Sequence, residues 1–232
     1  MRVGIMQPYF FPYIGYFQLL NCVDKFVIYD DVSFIKRGWI NRNRILINSE
    51  PKYITVPLVK QSQNKYINET LVDQTGNWRK TMLRTLEYSY KKATQFARVY
   101  PCIEQVICTP HRTIAGLTLA GVQVIADYLD IETSIVHSSS VFQNQQLKGQ
   151  DRILDICLQS GATHYVNPEN GSGLYSKETF SSEDISLSFL KTSQIEYRQF
   201  SDSFFPYLSI IDVLMHNSKA EAIELLGRYT LT

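Results

Sequence analysis

Residues 29–44 read YDDVSFIKRGWINRNR and place two adjacent carboxylates beside four cations. Lys36, Arg37, Arg42 and Arg44 can hold several phosphate oxygens through charge-assisted hydrogen bonds, a guanidinium adding a planar fork where an ammonium offers only a point charge. Trp39 among them has a flat face for a sugar ring or a base, and Asn41 adds both donors and an acceptor. Asp30 and Asp31, at a strand end, have two chemistries open to them, ligation of Mg²⁺ or a hydrogen bond to a ribose. A solvated charged loop is the competing reading, but tryptophan and asparagine interleaved among the charges are more than solubility requires. The pattern suits a small phosphorylated ligand.

A second stretch, QPYFFPYIGY at residues 7–16, is shaped rather than charged. Pro8 and Pro12 each remove a backbone donor and fix φ, so neither a central strand nor a helix interior accommodates them. A tight loop leading from a strand into a helix leaves the first helical N–H groups unpaired, which favours an anion there. Gly15 would let a ligand approach the backbone. Gln7, Tyr13 and Tyr16 stand where polar groups at a strand end face a cleft, whereas Tyr9, Phe10 and Phe11 read as packing over the sheet edge. A third stretch, QLKGQDR at 146–152, carries Lys148 and Arg152 at a helix start, either contacting phosphate or merely beginning a helix with Asp151 as its cap. The segment NPENGSGLY at 167–175 has Gly171 and Gly173 without the GxGxxG spacing of a dinucleotide loop.

These residues need a scaffold that brings them together. An apolar strand (VGIM), the loop, a helix over Tyr13–Val23 and a strand over Lys25–Asp31 make a βαβ start, whose strands are parallel with a right-handed crossover and whose functional loops lie at the strands' carboxyl ends. Further on, Ile45–Ile47 and Tyr53–Leu58 read as a hairpin. Helices are expected over Asn77–Phe96, Ile114–Asp130, Asp151–Ser160, Ser209–Met215 and Lys219–Tyr229. Strands are expected over Thr133–His137, Thr163–Val166, Leu187–Leu190 and Ile195–Tyr197. The expected fold is α/β, a parallel-sheet Rossmann-like core in one domain over 1–232, with a small β-containing lobe inserted at about 45–76. Asp212 sits inside an apolar helix and needs a partner, for which an arginine of the basic loop is the candidate.

Composition narrows the function classes. Lys plus Arg (23) nearly balances Asp plus Glu (22), so no global positive field draws the chain to nucleic acid or to an anionic membrane, although a local basic patch stays open. Cys22, Cys102, Cys108 and Cys157 show no CxxC spacing and His111, His137, His164 and His216 are scattered, so no built-in metal site is expected and the thiols read as reduced, in a cytoplasmic protein. No run of apolar residues is long enough for a membrane span.

The opening QPYFFPYIGYFQLL, with DKFVIYDDVSFIKRGWINRNRI, LKGQDRILDIC, GATHYVNPENGSGLY and FFPYLSIIDVLMHNS, resembles the WbqC-like protein family over almost the whole chain. The resemblance implies a role in bacterial surface polysaccharide synthesis, notably of O-antigen. An enzyme is implied that acts on a nucleotide-activated amino sugar by acyl or aminoacyl transfer; the alternative is a non-catalytic protein that delivers a nucleotide sugar to a glycosyltransferase. In the enzyme, Asp30 or Asp31 would be base or metal ligand, Lys36, Arg37 and Arg42 would hold phosphates, and Gln7 with Tyr16 would orient the reacting group. The start is also distantly similar to nucleotidylyltransferases, whose His-x-Gly-His turn corresponds to Tyr13-Ile14-Gly15-Tyr16. Phenols with a pKa of about 10 stay neutral where imidazoles carry charge, so Lys36, Arg37 or Lys148 would have to supply it.

Overall fold

The computed structural model describes residues 1–232. Strand β1 (Arg2–Met6) ends at the proline-bearing loop, which feeds helix α1 (Ile14–Asn21), and β2 (Lys25–Ile28) returns parallel to β1. The hairpin of β3 (Arg42–Ile47) and β4 (Glu50–Thr55) follows. It turns through Asn48 and Ser49, both left-handed with φ of 53° and 61°, as a two-residue turn that matches strand twist requires. Helices α2 (Trp78–Tyr90), α3 (Phe96–Cys108) and α4 (Ile114–Tyr128) lead to β5 (Ser134–Val136). Then come α5 (Gly149–Gln159), β6 (His164–Pro168), α6 (Lys177–Ser181), β7 (Ser186–Thr192), α7 (Ile210–His216), α8 (Lys219–Leu226) and β8 (Tyr229–Leu231).

The main sheet runs β5-β2-β1-β6-β7-β8, parallel except for β8, which pairs antiparallel with β7. From β1 the chain winds outward through β2 and β5, then returns to β6 and winds the other way. This is the strand order of a Rossmann-like α/β fold, with its switch point between β1 and β6. Alternation along the strands feeds two cores. Phe26, Ile28, Val166 and Leu190 join the larger one under α1, α4 and α7, whereas Val3, Ile5, Val27, Tyr165 and Leu187 join the smaller one with Ile153 and Ile156 of α5. No helix is long and apolar enough to cross a membrane.

Four local expectations are corrected. The helix expected over 77–96 stops at Tyr90 as α2, and a further helix that sequence reasoning missed, α3, begins at Phe96 and runs past Pro101 to Cys108. The hairpin's second strand starts at Glu50 rather than Tyr53, because the turn needs only two residues. Residues 195–197 are not a strand, since β8 takes the place beside β7 while the Ser193 amide donates to the Arg228 carbonyl. The final helix ends at Leu226, before Gly227, leaving Tyr229–Leu231 free to form β8.

Asp212 is fully buried, and its partners are not arginines. Its carboxylate accepts from the Tyr90 hydroxyl (2.7 Å), the Tyr197 hydroxyl (2.8 Å) and the Gln199 amide (3.1 Å), with His216 Nε2 at 4.0 Å. Burial pushes this carboxyl above its ordinary range, and the phenol hydrogen bonds pull it back only in part. The same burial pushes His216 below its ordinary value.

Candidate functional site

A cavity of about 620 Å³ opens at the switch point, over the carboxyl ends of β1, β2 and β6. Met6 and Gln7 line it from the end of β1, Tyr29 from the end of β2, and Asn167 and Pro168 from the end of β6. Its other walls include Tyr9, Pro12 and Tyr13 of the proline-bearing loop, Ile35, Trp39, Asn43 and Arg44 of the hairpin region, Ile153 of α5, Asn170, Gly171, Leu174 and Tyr175 after β6, and Tyr207 from the segment before α7. Six aromatic rings therefore surround a space of the size that small ligands occupy. Burial raises the Tyr9 phenol, and it raises Tyr13 too, where the nearby Tyr9 and Tyr207 add to the effect. These rings are neutral donors at physiological pH.

The loop over the cavity is fixed by distant parts of the chain. Phe11 adopts a left-handed conformation (φ 40°), an uncommon state for a bulky residue that the surroundings must hold. The Asn43 amide donates to the carbonyls of Phe10 (3.1 Å) and Phe11 (2.7 Å), the Ser209 hydroxyl donates to Phe11 O (2.7 Å), and the Ile210 amide donates to Pro12 O (2.8 Å). Gly15 serves this packing rather than a ligand. A Cβ there would lie 2.3 Å from the Tyr13 ring and 2.7 Å from the Thr192 hydroxyl. Gly171 plays a similar part, because a Cβ would meet the Asn167 amide at 1.9 Å.

Arg44 is the single charged side chain in the lining. Its guanidinium lies 5.7 Å from the Trp39 ring centre, close enough for a cation–π contact. Its Nε is buried with no hydrogen-bond partner. A buried, unsatisfied charged donor is costly, and no carboxylate of the chain pairs with this guanidinium, so its charge is available to a ligand in the cleft. A carboxylate or phosphate oxygen satisfies it best.

The other sequence-selected residues fall into two groups. Gln7, Tyr13 and Trp39 line the cavity. Outside its lining stand Tyr16, Gly15, Asp30, Asp31, Lys36, Arg37, Asn41, Arg42, Lys148 and Arg152. Tyr16 is in the core, packed against Phe17 and Phe26, its buried hydroxyl unpaired and its pKa raised well above the ordinary value by burial. Asn41 is buried, donating to Val56 O at 2.8 Å. Arg42 folds back onto the carbonyls of Gly38 and Arg37 and stacks over Tyr53. Lys36, Arg37 and Lys148 are exposed.

Asp30 and Asp31 belong to an interior network behind Tyr29. Asp31 takes a 2.6 Å ion pair from Arg152, a 2.9 Å hydrogen bond from Gln145 and a short one from Ser139. Arg152 also donates to the Asp31 carbonyl (3.2 Å) and to Asn144 (3.0 Å), and its guanidinium lies 5.0 Å from the Tyr29 ring centre. Asp30 accepts from the Ser138 hydroxyl (2.6 Å), and burial raises its pKa. With a guanidinium already on Asp31, the pair does not fit a Mg²⁺ ion, which needs free carboxylate oxygens.

Sequence reasoning named Arg44 among the basic residues but assigned phosphate to Arg42 instead, and it missed Tyr29, Asn170, Tyr175 and Tyr207 as lining groups. Asn170 and Tyr175 lie in the glycine-bearing segment already singled out. Tyr207 had no local signal, since only folding brings it to Tyr13, their rings 6.1 Å apart and edge to face.

Among curated proteins, the chain is 33% identical over 229 residues to the uncharacterized protein Rv1507c of Mycobacterium tuberculosis (strain ATCC 25618 / H37Rv), covering 97% of each chain. No solved structure matches it. The pattern of the WbqC-like protein family matches residues 7–224, so the switch-point loop, the Arg44 hairpin and the segment carrying Tyr207 all fall inside the match, and the chain belongs to the WbqC-like protein family.

Proposed function

We propose that the cleft binds a nucleotide-linked sugar, and that the protein holds and presents this ligand in the synthesis of a bacterial surface polysaccharide. The observation that carries the reading is the Arg44 guanidinium, without an ion-pair partner in the chain, in a cleft otherwise walled by aromatic rings, amides and aliphatic side chains. A phosphate oxygen would satisfy Arg44 while Trp39 and the tyrosines stack on the rings of the ligand. Gln7 and Asn170 line the cleft, and their amides would hydrogen-bond sugar hydroxyls. A cytoplasmic location goes with this reading.

The lining carries no Asp, Glu, His or Lys, so the cleft has no side chain that titrates near neutral pH. Presentation of the ligand to a glycosyltransferase therefore accounts for the geometry with fewest demands. Acyl or aminoacyl transfer to an amino sugar is the second reading, favoured by the rigidly held loop at the switch point. There the sugar's own amine would be the nucleophile and the protein would act by positioning.

Isothermal titration of the purified chain with UDP-glucose and UDP-N-acetylglucosamine tests the proposal. Saturable binding that is weakened about tenfold or more in Arg44→Leu supports it, and heat signals that are absent or indifferent to Arg44 overturn it. Incubation with UDP-linked amino sugars and a panel of acyl thioesters separates the two readings, because only the transferase consumes both.

A further inference from the structure

Beyond the cleft, a second cavity of about 500 Å³ shares Tyr13 and Tyr207 with it and no other residue. The edge-to-face pair of these two rings is thus the partition between two compartments. The chemistry of the second compartment differs from that of the first. Ile14, Ile195, Phe204, Leu208 and Val213 give it an apolar wall, Thr192, Ser193 and Gln194 give it a neutral polar rim, and Glu196 is its single acidic side chain. An anionic group is disfavoured there, and an uncharged hydrocarbon group is favoured.

The wall on one side is residues 193–209, a connection without helix or strand between β7 and α7. Connections of this length inside a compact fold are uncommon and usually functional. This one is pinned at its middle, where Tyr197 and Gln199 donate to buried Asp212 and the Phe205 amide donates to Gln199. Its far end carries Tyr207 in a left-handed conformation (φ 57°), exposed and facing Tyr13. A pinned strap that ends in a strained, solvent-accessible aromatic is built to hold one ring at a boundary.

We propose that this second compartment is a binding site for an uncharged acyl or alkyl group carried by a second small molecule, which meets the occupant of the cleft at the Tyr13–Tyr207 partition. Occupancy of the compartment stands independently of what fills the cleft; the meeting of two ligands rests on the cleft reading above.

The test uses hexanamide and acetamide as probes of the full chain, with the methyl groups of Ile14, Ile195, Leu208 and Val213 observed by NMR. Hexanamide is expected to shift these methyls and to bind at least tenfold more tightly than acetamide, since each added methylene removed from water contributes. Ser193→Trp places an indole at the exposed rim of the compartment and is expected to weaken hexanamide at least tenfold while leaving UDP-N-acetylglucosamine unaffected. Equal affinity for the two amides, or shifts confined to other methyls in the unaltered protein, overturns the proposal whatever the variant does. Hexanamide binding without nucleotide-sugar binding sustains the second site and sinks the cleft reading; the reverse result does the opposite.

Discussion

At the scale of single residues, the arginines of the hairpin region and of α5 separate by what surrounds them. Arg152 and Asp31 are both nearly inaccessible and 2.6 Å apart, so removing one partner leaves a buried charge uncompensated. Asp31→Asn is expected to cost about 3–5 kcal/mol in urea unfolding, and Asp31→Leu combined with Arg152→Met much less than that. Arg44 has the opposite character, because its charge awaits a partner. Arg44→Leu should leave stability nearly unchanged or improved while weakening a phosphorylated ligand by about 10- to 100-fold, the worth of a charged hydrogen bond. Asp212 gives a prediction with a definite sign. Its folded pKa is raised by burial, so its stabilising contribution is complete below the ordinary carboxyl value and is lost as pH rises through the folded one. Relative to Asp212→Asn, the unaltered protein should therefore lose stability as pH goes from about 4 to 7, read from denaturation midpoints across that range. A flat difference would mean that the two phenols and Gln199 offset its burial fully.

Among the elements, the loop between β1 and α1 decides the shape of the cleft. Gly15→Ala forces a Cβ into the Tyr13 ring and the Thr192 hydroxyl, and the ring must swing from its place at the partition. About 1–3 kcal/mol of stability should be lost, together with ligand binding, and a changed Tyr13 environment should show in the NMR spectrum of the variant. The elements were also where the sequence could be read with most profit. Hydrophobic periodicity and the glycine and proline punctuation located β1, α1, β2, the hairpin, α4, α5 and β6 to within a few residues, because those signals are local. The break between α2 and α3, the irregular strap and β8 were not legible. The strap and β8 are decided by which segment takes the edge of β7, where Arg228 and β8 displace residues 195–197. The site divides on the same line. Gln7, Tyr13 and Trp39 could be picked out from strand ends and residue type, whereas the choice of Arg44 over Arg42 and the arrival of Tyr207 depend on tertiary packing.

Across the whole molecule, a formal charge of +1 conceals a strong separation. Residues 77–113, which span α2 and α3, carry seven cations and two acids, a net +5 that leaves −4 for the remainder. Lys80, Arg84, Lys91, Lys92, Arg98 and Arg112 are exposed. The protein should accordingly be retained on a cation-exchange column at pH 7 despite its near-neutral total, and changing Lys80, Arg84, Lys91 and Lys92 together to glutamine should abolish retention without altering the cleft. The expectation that balanced composition leaves no global field is compatible with this, since a sum over the chain carries no information about where its charges end up.

The Phe11 carbonyl is clamped by Asn43 and Ser209, donors that lie 32 and 198 residues further along the chain. A transplanted copy of residues 7–16, set at the end of another parallel strand, would arrive without either of them and relax into an ordinary flexible bend. The cleft is thus inherited as a unit with its hairpin and its penultimate helix, and any descendant that trims one of those must rebuild the bend or abandon it.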